Sequence, residues 1–219
     1  MANSNDDSWT GGWVAEKLET RDGIDSVQIK SANVIDVTLS TGRVVRVATT
    51  AVKEISVGYL HARIGNHHVD FVINVPANAK IEEDVFKYAV DSHFAVGGMG
   101  DFLRAIRLDD LSSYLPPQVA FVLRGLRQHS AVESIKQIGR NLYRIKGKLW
   151  PTLIMIDLND YELTAATLRT ALDEYEFNFI LASNPNVGPT SAAIEVAKHA
   201  DKKILLWKEL LAALNKPWN

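Results

Sequence analysis

Apolar positions along this chain change their spacing several times, and each change predicts a helix or a strand. Trp13, Val14 and Leu18 follow a Gly-Gly pair and have the spacing of one face of a short helix. Three runs rich in β-branched residues come next, at residues 27–29, 34–39 and 44–47. Ser-Ala-Asn and Ser-Thr-Gly separate these runs, so the pattern predicts a three-stranded antiparallel meander.

Helical and strand-like segments then alternate up to residue 106. Helical spacing predicts helices over residues 51–64, 81–90 and 101–106, and apolar runs predict strands at residues 71–75 and 94–96. The run that Pro76 stops is continuously apolar, which is typical of a strand buried on both faces. Residues 107–117, RLDDLSSYLPP, are predicted to be a connector.

A similar order of elements begins again after the connector. A helix is expected from Gln118 onward, and the remaining apolar runs predict strands at residues 142–145, 152–156, 177–182 and 204–207. Helical spacing predicts further helices at residues 164–175, 191–199 and 209–214. The chain is therefore predicted to be an α/β protein.

The second half aligns with the first half at one offset of 108 residues without a gap. This offset pairs Asn33 with Asn141 and Phe71 with Phe179, and helices, strands and Gly/Pro positions fall in the same order. The pattern favours an internal duplication, with modules at residues 11–108 and 116–219 joined by a connector at 109–115. We expect the two modules to pack as an internal pseudo-dimer. The alternative is that any α/β chain aligns with itself this well.

Composition narrows the possible settings of this protein. The 219 residues are enough for one large domain or two small ones, and no run reaches the 18 apolar residues of a membrane span. The polar, acidic start predicts a flexible tail over residues 1–10 in place of a secretory signal. The absence of cysteine excludes disulfides, thiol catalysis and cysteine-bound zinc. A cytoplasmic protein that does not bind membranes is expected.

The charges are unevenly distributed, although the formal net charge is only -2. Between residues 124 and 148 a single acid, Glu133, accompanies seven cationic side chains: Arg124, Arg127, Lys136, Arg140, Arg144, Lys146 and Lys148. Such a stretch predicts contacts with the phosphates of a nucleic acid. The alternative is an ordinary solvated surface paired with acids such as Asp109 and Asp110.

Asp36 lies inside the second predicted strand, in the sequence NVIDV. Each half reads helix, three strands, helix, strand, helix, short strand, helix, and this order resembles the restriction-endonuclease-like superfamily, the PD-(D/E)xK nucleases. The resemblance implies a metal-binding Asp at Asp36 and an acid-x-Lys triplet in the next strand, where two carboxylates hold Mg²⁺. In the first half the triplet position reads Arg46-Val47-Ala48. In the second half Arg144 replaces the metal-binding Asp, and the triplet position reads Ile154-Met155-Ile156. The metal-binding set is therefore lost in both halves.

A relocated set of acids is the remaining route to nuclease chemistry. Asp157, Asp160 and Glu162 cluster where a predicted strand ends, and they would hold Mg²⁺ if the protein is a metal-dependent nuclease. The competing interpretation is that these acids lie around the first turn of the following helix and stabilise its dipole. No other metal site is predicted, because His67, His68 and His129 lack ligand partners at suitable spacing.

Two loops have the composition of ligand-binding turns. Residues 183–191 join a predicted strand to a helix that Thr190 or Ser191 would cap, and residues 97–101 form a Gly-rich turn with Asp101 near the next cap. Both are predicted to be mainly structural turns, since neither matches a Walker loop or GxGxxG.

The favoured function is non-catalytic binding of nucleic acid by degenerate nuclease-like modules, and the resemblance implies a prokaryotic restriction or defence system. The alternatives are the metal-dependent nuclease and a structural partner subunit. In the second alternative, Trp150, Trp207 and Trp218 would contribute to an apolar interface with a protein partner. Neither the oligomeric state nor the ligand follows from the sequence.

Overall fold

The β-branched runs of the first half form strands in the computed structural model, which describes residues 8–76, 78–186 and 188–218. The chain divides into two compact units, Met1–Pro116 and Pro117–Asn219. Most of the predicted tail, residues 1–7, lies outside the described residues. Thr10 already begins the first helix and is fully buried. Its hydroxyl is hydrogen-bonded to that of Thr49 at 2.9 Å.

The first unit builds one five-stranded sheet and a small two-stranded one. Its helices are α1 (Thr10–Leu18), α2 (Val57–Ile64), α3 (Glu83–Asp91) and α4 (Met99–Ala105). Its strands are β1 (Ile24–Ser31), β2 (Val34–Leu39), β3 (Val44–Thr50), β4 (Glu54–Ile55), β5 (Phe71–Asn74), β6 (Lys80–Ile81) and β7 (Ala95–Gly97). The large sheet has the order β1-β2-β3-β5-β7, and β4 pairs with β6.

The alternation of side chains across this sheet creates two separate hydrophobic clusters. Ile35 and Val37 of β2 point to the cluster that contains Val14 and Leu18 of α1. Ala48 and Val72 belong to the other cluster, with residues of α2 and α3. The first unit therefore has three layers, with the sheet between two layers of helices.

The second unit contains a single sheet of five strands. Its helices are α5 (Pro117–Arg127), α6 (Ala165–Glu174), α7 (Ser191–His199) and α8 (Trp207–Ala213), and its strands are β8 (Val132–Gln137), β9 (Leu142–Gly147), β10 (Leu153–Asp157), β11 (Phe179–Ala182) and β12 (Lys203–Leu206). The strand order is β12-β11-β10-β9-β8. One cluster packs α5 and α8 on one face, and another packs α6 and α7 on the opposite face.

The strand registers of the two units are related by the same offset of 108 residues. Both sheets have two antiparallel pairs followed by two parallel pairs. Val47 is paired with Phe71 in the first unit, and Met155 is paired with Phe179 in the second. We call two residues equivalent when their numbers differ by 108 and they lie in corresponding helices or strands of the two units.

Several predicted boundaries were wrong. The apolar run at 51–64 forms the strand β4 before a shorter helix α2, because Glu54 and Ile55 pair with Lys80 and Ile81. That pairing also takes Ile81 out of the helix predicted at 81–90. The strand β8 was not predicted, because five of its six residues are at least partly exposed and its apolar pattern is therefore weak. In the part of the chain that the structure describes, no helix is long and apolar enough to cross a membrane.

Candidate functional site in the second unit

Asp36 lies in the middle of β2, where the nuclease resemblance implies a metal ligand. Its carboxylate accepts two hydrogen bonds from the Arg46 guanidinium, at 2.7 Å to Oδ1 and 3.0 Å to Oδ2, and the Lys30 Nζ is 3.5 Å away. The hydrogen bond from Arg46 is the main reason that the pKa of Asp36 lies below its ordinary value. Asp36 is thus a largely buried ion-pair partner of Arg46 and Lys30.

Asp157 is placed very differently, at the carboxyl end of β10. It is 3% exposed, and its Oδ2 accepts a hydrogen bond of 2.8 Å from the Gln118 side chain. The same Gln118 Nε2 donates to the Ser183 hydroxyl at 2.7 Å. We call Gln118, Asp157 and Ser183 the carboxyl-edge triad. It joins the start of α5 to the ends of two neighbouring parallel strands.

The interior side of Asp157 lacks hydrogen-bond donors. Within the described residues, its Oδ1 and the hydroxyl of Tyr143 are both buried without a hydrogen-bond partner. Burial raises the pKa of Asp157, against the opposing effect of hydrogen bonds from Ser183 and Gln118. Burial also raises the pKa of Tyr143, and the Asp157 charge adds to that effect. The structure thus places a carboxyl group where ionisation is costly.

The first unit has a neutral counterpart at the equivalent place. Thr10 is equivalent to Gln118 and Thr49 to Asp157, and the two threonine hydroxyls are hydrogen-bonded to each other at 2.9 Å. Asn33 extends this cluster by donating to the Thr10 hydroxyl at 3.0 Å. A carboxyl group thus occupies the position in the second unit at which the first unit has the Thr49 hydroxyl.

The pH dependence of stability tests the assignment of Asp157. Its folded pKa lies above the ordinary value of 3.8, so the folded chain holds this proton more tightly than the unfolded chain. The resulting stability is fully present below the unfolded pKa and is lost as the pH rises through the folded pKa. We expect Asp157→Asn to remove that loss, so that its unfolding free energy rises relative to that of the wild type as the pH increases from about 4 through the folded pKa of Asp157.

Urea unfolding at several pH values measures this difference, and Asp173→Asn serves as the control because Asp173 is an exposed acid on α6 that does not affect the pKa of Asp157. The control variant should follow the wild-type pH profile. A constant difference between Asp157→Asn and wild type across that range would contradict the assignment.

The other two acids of the predicted cluster do not join Asp157 in a ligand set. Asp160 and Glu162 are exposed, and the Asp160 charge is the last of the influences on the pKa of Asp157. Within the described ranges, no group of three or more His, Asp or Glu side chains could hold a metal ion. The predicted role of these acids at a helix start was wrong, because the first turn of α6 has no acid and Thr164 caps it instead.

The cationic stretch divides between the two faces of its sheet. Arg124 and Arg127 lie on the exposed side of α5, which packs on the face that contains Tyr143 and Ile145. Lys136, Arg144 and Lys146 point to the opposite face, since Lys136 is paired with Arg144 across β8 and β9. Lys148 is exposed beyond the end of β9, and Arg140 is exposed in the turn between the strands.

Some of these cations have acidic partners, as the alternative interpretation expected. The Lys146 Nζ is 2.7 Å from a carboxylate oxygen of Glu133. Asp110 instead accepts hydrogen bonds from the backbone and hydroxyl of Ser112. Lys136 has neither an ion pair nor a hydrogen bond from its side chain to any described residue. Lys136, Arg140 and Arg144 form a basic surface at one end of the β8–β9 hairpin, and Arg144 also has a partner in the fold.

Of the three tryptophans predicted at an apolar interface, only Trp150 is buried in the second unit, whereas Trp207 and Trp218 are partly buried against the same hydrophobic cluster. Trp150 is 6% exposed and donates its indole N–H to the Leu214 carbonyl at 3.1 Å. The Trp218 ring packs on Phe179 with ring centroids 4.6 Å apart. The Trp207 ring packs on Phe121 at 5.0 Å.

The two predicted loop caps are confirmed. Thr190 caps α7 by accepting a hydrogen bond from the Ala193 backbone at 3.1 Å. Asp101 accepts a hydrogen bond from the Gly98 backbone at 3.0 Å, at the start of α4.

A pocket of about 650 Å³ opens beside the carboxyl-edge triad, within the second unit. Gln118 and Ser183 of the triad line it. The other lining residues are Phe121, Asn159, Ala182, Asn184, Pro185, Asn186, Gly188, Leu206, Trp207 and Lys208. Sequence reasoning singled out the loop at 183–191 but missed Gln118. The available signal was its equivalence to Thr10, which the 108-residue offset provides.

No protein-family model, curated protein or solved structure matches this chain. The class that the structure defines is a mixed α/β protein with two units of the same strand order.

Proposed function

We propose that this protein binds nucleic acid without catalysis, through the basic surface of its second unit. We further propose that its two units are degenerate restriction-endonuclease-like modules that arose by duplication and pack as a pseudo-dimer, in a prokaryotic restriction or defence system. The proposal makes no use of a metal ion.

The observation that carries the proposal is the cross-strand pair of Lys136 and Arg144. Lys136 and Arg144 lie directly opposite each other on neighbouring strands, so two like charges meet at this place on the sheet. At the equivalent place, the first unit has Gln28 opposite Asp36, and that acid neutralises Lys30 and Arg46. The second unit has a cation, Arg144, where the first unit has that acid, and Lys136 and Arg140 of the same hairpin are exposed. Cations concentrated in this way favour binding of an anion such as a phosphate.

Arg140 adds a further positive charge in the turn between β8 and β9. The next residue, Asn141, donates its side-chain N–H to the Asp157 carbonyl at 3.0 Å. Burial is the main reason that the pKa of Tyr175 is raised, and nearby Arg140 opposes that shift. A cation and a tyrosine ring are thus close to each other in the second unit, as at many sites that bind single-stranded nucleic acid.

The order of elements supports the module proposal. Each unit begins with a helix, a three-stranded meander, a helix and a further parallel strand, which is the order that the resemblance implies. The common offset of both registers supports the duplication.

The two alternatives receive less support from the geometry. A nuclease would need acids that converge, whereas the Asp157 carboxylate is hydrogen-bonded to Gln118 and Asp160 is exposed in a loop. A structural subunit would use an apolar interface built on the three tryptophans, whereas Trp150 is buried within the second unit. We therefore retain nucleic-acid binding as the proposed function.

Charge reversal at the basic surface tests the proposal. We expect the wild type to bind single-stranded or duplex DNA or RNA with an affinity that falls steeply with salt. Arg140→Glu combined with Arg144→Glu should weaken binding by about tenfold or more and lower the slope of log affinity against log salt by about 2. Fluorescence anisotropy with labelled oligonucleotides, at several salt concentrations, measures both quantities.

The control reverses two exposed lysines elsewhere in the second unit, Lys198→Glu with Lys216→Glu, and makes the same change in net charge. Because Arg144 has a partner in the fold, Lys136→Glu alone provides a second test at an exposed side chain. Equal losses in the control and test variants, or no salt-dependent binding by the wild type, would refute the proposal. Cleavage of the oligonucleotide that requires Mg²⁺ and Asp157 would support the nuclease instead.

A further inference from the structure

The pocket beside the carboxyl-edge triad has the composition of a site for a flat, polar ligand. It lies beyond the carboxyl ends of the parallel strands β10 and β11, where open α/β sheets bind ligands. Its volume of about 650 Å³ is in the range of small-molecule sites. Four carboxamide side chains line it, together with two aromatic rings and one lysine.

The triad leaves one hydrogen-bond acceptor available for a ligand. The Gln118 Nε2 donates to Asp157 at 2.8 Å and to Ser183 at 2.7 Å, so both of its N–H groups are used. These two bonds fix the orientation of the amide. The Gln118 Oε1 accepts no hydrogen bond from any described residue, and Gln118 lines the pocket.

A hydrogen-bond donor is oriented in the opposite loop. The Asn184 Oδ1 accepts a hydrogen bond from the Asn186 backbone at 3.0 Å, which fixes this side chain and leaves its Nδ2 group to donate. Asn159 and Asn186 also line the pocket and can both donate and accept. A ligand whose edge alternates donors and acceptors, as the edges of nucleobases do, would satisfy this set.

One wall of the pocket is aromatic. Phe121 is 41% exposed, and its ring centroid is 5.0 Å from that of Trp207. A Cβ atom at Gly125 of α5 would overlap the Trp207 indole, so the position of the ring depends on the missing side chain. Aromatic side chains held in this way provide a surface on which a base can stack.

The pocket also offers a positive charge for an anion. Lys208 lines it and is exposed, and its side chain forms no ion pair with any described residue. No acid with an exposed carboxylate is among the lining residues, since Asp157 lies behind Gln118 and Ser183. A ligand that combines a flat heterocycle with a phosphate fits these features.

We propose that this pocket binds one nucleotide, with its base against Phe121 and Trp207, the base edge hydrogen-bonded to Gln118 and Asn184, and its phosphate beside Lys208. The nucleotide is either a free nucleoside monophosphate or one unstacked nucleotide of a single strand. The strand form of this proposal rests on the proposed function, whereas the free form goes beyond it.

Isothermal titration calorimetry with AMP, GMP, CMP and UMP tests the free form, and ribose 5-phosphate shows what the sugar phosphate contributes alone. For the strand form, a single-stranded oligonucleotide is compared with an abasic oligonucleotide of the same length. We expect at least one nucleotide, free or in the strand, to bind about tenfold more tightly than its base-free counterpart. Equal affinities in both comparisons would overturn the proposal.

Surface variants keep the test separate from folding. Phe121→Ala and Lys208→Ala change exposed side chains, and each should weaken nucleotide binding by about tenfold. The matched controls are Ile194→Ala and Lys198→Ala on α7, whose exposed side chains do not line the pocket. Binding that both test variants retain, or that the controls lose equally, would overturn the proposal.

The two proposals fail in distinguishable ways. If the proposed function is wrong but the pocket is correct, free nucleotides bind and Phe121→Ala weakens them, while the Arg140 and Arg144 reversal has no effect on oligonucleotides. If the pocket is wrong but the function is correct, oligonucleotide binding keeps its salt dependence, and intact and abasic strands bind equally.

Discussion

Gly147→Ala is expected to lower the free energy of unfolding of the second unit by about 3 kcal/mol or more. Gly147 ends β9, and a Cβ atom there would overlap the indole of Trp150. Trp150 is 6% exposed and belongs to the cluster of α5 and α8, so it has no open space into which to move. Expelling the ring would also break its hydrogen bond to the Leu214 carbonyl.

Chemical denaturation followed by circular dichroism measures this loss. Gly12→Ala in α1 is the matched control, because Gly12 is exposed and a Cβ atom there meets nothing within 4 Å. That substitution should be neutral or stabilising by up to about 1 kcal/mol, as for an exposed helix position. Adding Trp150→Leu to Gly147→Ala should cost less than the sum of the two single changes, and strict additivity would argue against the clash.

Phe71→Ala and Phe179→Ala are also expected to lower the free energy of unfolding strongly. The two residues are equivalent, both are fully buried, and each lies in the central parallel strand pair of its unit. The ring of Phe71 packs on Phe102 at 5.4 Å and that of Phe179 on Trp218 at 4.6 Å. Each truncation should cost about 3–5 kcal/mol, a large part of the stability of a small domain.

Each unit has its own pair of hydrophobic clusters, so the loss should be local to the substituted unit. Hydrogen exchange measured peptide by peptide should show less protection in β3 and β5 for Phe71→Ala, and in β10 and β11 for Phe179→Ala. Loss of protection in both units from a single substitution would contradict separate cores. Val90→Ala, at a side chain that is 70% exposed, is the control and should leave protection unchanged.

The order of helices and strands was largely predictable from the sequence because it depends on local patterns. Four-residue apolar runs such as that of β11 are buried on both sides, and a Pro or Gly marks many boundaries. The antiparallel meander of the first unit also follows from short runs with turn residues between them.

Local sequence patterns did not predict the segments whose conformation depends on pairing with another strand. Glu54 and Ile55 lie in a segment of helical spacing, yet they form a strand because Lys80 and Ile81 provide a partner. The strand β8 has few buried residues, and its conformation depends on the hydrogen bonds to β9. Neither partner can be identified from the segment itself.

The candidate site was predicted only in part for the same reason. Asp157 was singled out by its position after an apolar run. Its partner Gln118, however, is 39 residues from Asp157 and 65 residues from Ser183 along the chain. The sequence could not indicate that Asp36 is held by Arg46 whereas Asp157 is buried behind Gln118. Those contacts depend on the register of distant strands and on the docking of a helix onto them.

By itself, the sequence determined an α/β chain, the order of its elements and the 108-residue offset, because the spacing of apolar residues carries that information along the chain. The tertiary structure decided which face of the sheet each cation occupies, which acids are neutralised and where a pocket forms. Side chains far apart in sequence meet only when strands pair and helices pack, so the geometry at the carboxyl edge of the second sheet is a property of the folded unit.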